Sequence, residues 1–131
     1  MKQTNAAQLE KSKKIIAELK ELRGGSVLDF HKKIANDPAM LYAFQQQYLN
    51  CNKKDTVIPR KYRELIIFAL GCARGVPTTI NTHGRLAFEN GATIEELGEV
   101  MRLVFFLCGA TAVIPAAELF EKVDFDEGIT G

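Results

Sequence analysis

The chain has 131 residues, 17 basic against 16 acidic, a formal net charge of +1 and three cysteines. That length suits one domain, and 47% apolar with 25% charged residues can supply a buried core, which excludes disorder over most of the chain. A balance so near neutral lacks the basic footprint of a nucleic-acid binder, so nucleic acid is not an expected partner.

Residues 4–23 place Leu9, Ile16, Leu19 and Leu22 near one helical face, while lysines alternate with Glu10, Glu18 and Glu21 on a solvated one. Gly24 and Gly25 stop that helix. Ser26 is expected to cap a second, short helix through residue 35. His31 on that helix reads as an ordinary surface or half-buried side chain. Asp37 and Pro38 form a start signal for a helix over 38–50. After a polar connection at 52–55, Pro59 opens a helix over 60–73 whose residues 65–73 carry no charge. A helix apolar most of the way round has to be covered on several sides.

Gly75 breaks this element, Pro77 starts a helix over 78–89, and Gly91 ends it. Thr93 and Glu96 have the spacing of a capping box and open the next helix, with Ile94, Leu97, Met101, Val104, Phe105 and Cys108 at helical intervals. Gly109 interrupts it, and a last helix is expected over 112–122 with Pro115 in its first turn. The acidic residues 124–131 read as a loose tail. No segment alternates like a strand. The expected fold is all-α, a single-domain helical bundle over residues 1–131, with N-terminal helices in 1–58 and a core in 59–123.

Residues 103–117 form a run of 15 without charge. Such a run falls short of the roughly 20 residues that a spanning helix needs, and Gly109 and Pro115 interrupt it. The expectation is therefore no membrane association, and burial inside a homo-oligomer. Residues 1–8 lack the apolar stretch of a secretory signal, and Cys51, Cys72 and Cys108 form no CxxC pair. Cytoplasmic residence follows as an expectation.

His83 stands out among the chemically capable side chains. It follows Thr78, Thr79, Asn81 and Thr82 near a helix start, where unpaired N–H groups favour an anion such as a carboxylate. A histidine there can move a proton; alternatively it is structural and bonds a backbone carbonyl. Glu64 is the last charge before the uncharged stretch. Burial would raise its pKa, whereas Arg60, four residues back, would lower it through an intrahelical pair. Cys72 lies two turns beyond Glu64, and isolated buried cysteines are usually inert.

The segments Lys61-Tyr-Arg-Glu-Leu-Ile-Ile67, Thr82-His-Gly-Arg-Leu-Ala87, Asn90-Gly-Ala-Thr-Ile-Glu-Glu-Leu97 and Gly109 together resemble the carboxymuconolactone decarboxylase and alkylhydroperoxidase D superfamily over residues 59–123. The resemblance implies an all-helical fold assembled as a homotrimer or homohexamer. In the peroxidase branch the motif runs glutamate, eleven residues, C-x-x-C, three residues, histidine. Glu64 and His83 hold its outer positions, but Val76 and Thr79 stand where the two thiols belong. Peroxidase chemistry by that route needs a thiolate and is not expected. The decarboxylase branch also lacks the C-x-x-C pair and keeps the histidine.

The leading expectation is acid–base chemistry, of decarboxylation or isomerisation type, on a small carboxylate or lactone. His83 and Glu64 are its catalytic pair, Thr78, Thr79 and Arg85 hold the substrate, and no metal or other cofactor is involved. The alternatives are an antioxidant activity through a displaced thiol, Cys72, and a non-catalytic oligomeric binding protein.

Overall fold

A computed structural model describes residues 1–125, and every regular element among them is helical. They form two compact units, residues 1–57 and residues 58 onward.

The first unit holds α1 (Ala6–Leu22), α2 (Asp29–Ile34) and α3 (Pro38–Asn52). The Asn5 side chain caps α1 by accepting from the backbone N–H groups of Ala7 and Gln8. Asp37 does the same for α3, with Pro38 at the first helical position. Between α1 and α3, Leu19 and Leu41 are fully buried. Two buried polar side chains there are partnered, Gln45 Nε2 donating to Glu18 Oε2 and the Ser12 hydroxyl to the Ala35 carbonyl.

The second helix begins differently from the sequence expectation. Ser26 does not cap it. Leu28 stands at the cap position, and its backbone N–H donates to Nδ1 of His31 at 2.8 Å. His31 is neither a surface nor a half-buried residue, being 1% exposed and packed against Phe30 and Phe44. A donor at the start of a helix has no intrahelical acceptor, and an imidazole can supply one while its ring fills apolar space.

The second unit contains α4 (Arg60–Arg74), α5 (Pro77–Glu89), α6 (Ile94–Cys108), a 3-10 turn (Ala110–Ala112) and α7 (Ile114–Ala117). Gly75 ends α4 in the left-handed conformation, φ 66°, where a side chain would be strained. Helix α5 starts two residues later, so the chain folds straight back as an antiparallel pair. Two glycines bring the pair close. A Cβ on Gly71 would lie 2.9 Å from Thr79 Cγ2 and 3.1 Å from the Ile80 backbone nitrogen, and one on Gly84 would meet Leu119 and Phe68. Leu65, Phe68 and Cys72 of α4 then join Ile80 and Ala87 of α5 and Leu97 and Val104 of α6 in one core.

The capping box of α6 is present: Thr93 accepts from the Glu96 N–H, and Glu96 Oε2 accepts from the Thr93 N–H. The other Glu96 oxygen takes Lys61 of α4 at 3.0 Å, so one carboxylate caps its helix and ties it to a neighbour.

No continuous helix spans 112–122. The 3-10 turn precedes a four-residue α7, and the chain leaves it through the short i to i+3 bonds of Leu119 to Ala116 and Phe120 to Ala117. Pro115 lies in the first turn of α7, where its missing N–H costs no helical bond, so it is not what ends the helix at Ala117. Asp124 and Phe125 are exposed without regular structure, and the remainder of the expected tail lies outside the described residues. Within residues 103–117, Val104 and Ala116 are buried, while Leu103, Phe106, Leu107 and Ile114 are exposed on the single chain. No helix of the described residues is long and apolar enough to cross a membrane.

Candidate functional site

Glu64 sits in the second turn of α4, and His83 in the second turn of α5. The antiparallel return brings them together across 19 residues of sequence, with Glu64 Oε2 2.5 Å from His83 Nδ1. The pair extends a register set nearer the hairpin turn by Gly71 against Thr79. The partner of His83 Nδ1 is thus a side-chain carboxylate and not a backbone carbonyl.

The intrahelical pair expected for Glu64 is present. Arg60 Nε donates to Oε1 at 2.6 Å, so the carboxylate takes its intrahelical partner on one oxygen and the histidine on the other. Glu64 is 1% exposed. Burial pushes its pKa up, but the bonds from His83 and Arg60 outweigh burial and hold it below the usual carboxylate value. An ionised carboxylate at neutral pH accepts only, so the neutral imidazole facing it carries its proton on Nδ1. Nε2 then holds the lone pair. The ring is 26% exposed, and Nε2 bonds no protein group among the described residues. This division of labour suits a general base.

Thr79 lies one turn before His83 on the same face of α5 and is half-buried, with its methyl turned to Gly71. Thr78 is exposed. The backbone N–H groups of Thr78 and Thr79 belong to the first turn of α5, ahead of the first helical bond from Ile80 to Val76, and are free of helical partners. Arg85 is exposed and lies about 200° round the helix from His83, so the fold does not bring it to the imidazole.

Cys72 fails as a reactive thiol. It is fully buried in the core, and burial pushes its pKa up to about 11. A displaced-thiol activity needs an accessible cysteine with a lowered pKa, and Cys72 has neither property. Cys51 and Cys108 are exposed. Among the described residues no group of three His, Cys, Asp or Glu side chains is placed to hold a metal ion.

A model of the carboxymuconolactone decarboxylase family matches residues 38–122, well over half of the sequence. The chain belongs to the carboxymuconolactone decarboxylase family. The match starts at Pro38, one helix earlier than the motifs at 59–123 suggest, so α3 is part of the family segment. Among solved structures, a crystal structure of a protein from Burkholderia xenovorans LB400 that bears the name carboxymuconolactone decarboxylase is similar, with a TM-score of 0.68, 23% identity and 86% of each chain covered. At that identity the likeness is one of fold. A search of curated proteins finds no match.

Two features of the site were not assigned from sequence. One is that Arg60 and His83 share a single carboxylate, for which the i, i+4 spacing of Arg60 and Glu64 is the only local signal. The other is the bond from Lys61 to Glu96, whose partners are 35 residues apart and give none.

Proposed function

We propose that this member of the carboxymuconolactone decarboxylase family is an acid–base catalyst acting on a small carboxylate or lactone, with His83 as the proton-transfer residue. The observation that carries this reading is the 2.5 Å bond from His83 Nδ1 to buried Glu64, with no partner on Nε2 among the described residues. In an isomerisation Nε2 takes a proton from one carbon and returns it to another. In a decarboxylation the bond to the carboxylate breaks, CO2 leaves, and the electron pair left on carbon takes a proton from the same nitrogen in its protonated form. Glu64 orients the ring and stabilises the imidazolium formed between the two steps. The free N–H groups of Thr78 and Thr79 are the nearest sequence neighbours suited to a substrate anion.

The working unit in this reading is a homo-oligomer, trimer or hexamer. Leu103, Phe106 and Leu107 share one face of α6 by their i, i+3, i+4 spacing, and all three are exposed, Phe106 by 83%. Exposed apolar patches of this kind mark association surfaces.

The test is proton exchange into a panel of small lactones and carboxylates in deuterated buffer, with CO2 release from a carboxylated muconolactone. Turnover is expected from the wild-type protein, and His83→Ala should lower it by about 10²–10⁴-fold. Absence of both reactions, or an unchanged rate in His83→Ala, overturns the reading. A folded, inert wild-type protein that loses much of its stability in His83→Ala would support a structural or binding role for the pair instead.

A further inference from the structure

We infer that Arg60 is the positioning residue of this site: by occupying one oxygen of the Glu64 carboxylate it reserves the other for His83 Nδ1–H, and so fixes the imidazole tautomer in which Nε2 carries the lone pair. The inference rests on the reading of His83 as a proton-transfer residue and adds a cause for its tautomer.

The argument starts from the number of donors a buried carboxylate needs. An ionised carboxylate has two acceptor oxygens, and leaving either dry and unpaired is costly. Glu64 is 1% exposed, so water cannot supply the second donor freely. Two protein donors reach it among the described residues, His83 Nδ1 on Oε2 and Arg60 Nε on Oε1 at 2.6 Å. Without Arg60, one oxygen has no partner among the described residues. The carboxylate can then take up a proton, or rotate to share both oxygens with the ring.

A protonated Glu64 would reverse the bond. Its O–H would donate to Nδ1, the imidazole proton would move to Nε2, and the exposed nitrogen would become a donor in place of an acceptor. Tautomer choice at a histidine is set by what its other nitrogen bonds, and here that partner's charge state is held in turn by Arg60.

The geometry also explains why an arginine that is half-exposed can act on a buried group. Arg60 is 50% exposed, and Glu64 lies one helical turn on, within reach of its Nε while the rest of the guanidinium stays near water. A lysine at the same position keeps the charge but places a single ammonium with no fixed plane, so it can pair with Oε1 without holding the carboxylate's orientation as firmly.

The experiment is long-range 1H–15N NMR of the full chain labelled at histidine, which reads the two tautomers of His83 directly and requires no substrate. The wild-type protein should show the Nδ1–H form. Arg60→Gln should lower the ratio of Nδ1–H to Nε2–H by about tenfold, with Arg60→Lys in between and Lys61→Gln, which alters a neighbouring charge away from Glu64, unchanged. The Glu64 carboxyl, read by 13C labelling, should titrate at higher pH in Arg60→Gln.

A retained Nδ1–H form in Arg60→Gln overturns the role of Arg60 and leaves the dyad intact. An Nε2–H form in the wild-type protein overturns both the role of Arg60 and the assignment of Nε2 as base. A lowered Nδ1–H share in Arg60→Gln that Arg60→Lys restores in part supports the positioning role, since a contact that only stabilised the fold would leave the tautomer ratio unchanged.

Discussion

Cys72 shows how position overrides chemical type. A thiol one hairpin away from a histidine invites a redox reading, yet its side chain is in the same core as Phe68 and Ile80, and its proton is harder to remove than that of a free cysteine. In native protein a thiol reagent at neutral pH should therefore leave Cys72 unlabelled, and label it only after unfolding; rapid labelling of Cys72 in the folded state would return it to candidacy. Glu64 is the opposite case. It is as buried as Cys72, but two donors keep its charge, so the same burial leaves an ionised partner for His83 where it silences a lone thiol.

At the scale of elements, the site depends on how closely α4 and α5 approach. Gly71 permits that approach, because a methyl there would press on the stiff, β-branched Thr79 and on the Ile80 backbone, which cannot rotate away. Overpacking of this kind typically costs about 1–3 kcal/mol, more than the ~1 kcal/mol that alanine gains over glycine inside a helix. Gly71→Ala should thus lower the thermal midpoint and, under the proposed acid–base role, slow turnover through His83. Gly98→Ala in α6, where an added Cβ meets nothing closer than Arg102 at 3.8 Å, should raise the midpoint.

The short α2 has a pH dependence of its own. His31 accepts the Leu28 N–H only when neutral, and burial, with Arg23 nearby, lowers its pKa from the ordinary 6.5. Its contribution to stability is present in full above pH 6.5 and is lost as pH falls through the lowered folded value. Melting of the first unit should accordingly be flat with pH above neutrality and decline on acidification, and His31→Gln should flatten that decline.

For the whole molecule, the exposed apolar face of α6 is the dominant feature. The proposed oligomer would place it out of water. Light scattering after size exclusion should give three or six times the 14.6 kDa of one chain, and Phe106→Glu should shift the mass toward the monomer. A wild-type monomer at micromolar concentration would refute the assembly. Because Leu103 and Phe106 lie in the same helix as the core residue Val104, the substitution must be checked for retained helicity.

Much of the architecture was legible in the sequence because it is encoded locally. Asp37-Pro38, Gly75, the Thr93 and Glu96 box and Gly109 mark helix ends through backbone donors and dihedral angles that neighbouring residues control. The motifs around Glu64 and His83 carried the family for the same reason: their order and spacing survive without any knowledge of the fold. What spacing could not decide was who meets whom. His31 became a buried cap because Leu28 lacks an acceptor of its own, the helix expected over 112–122 shrank to Ile114–Ala117, and Cys72 fell into the core.

The near-neutral charge, the uncharged stretches and the absence of thiols at positions 76 and 79 are properties of the sequence alone, and the last already excludes the C-x-x-C route. The tertiary structure decided that one carboxylate serves both Arg60 and His83. That outcome depends on an antiparallel return, packed tightly at glycine, which places two side chains 19 residues apart within a hydrogen bond of each other.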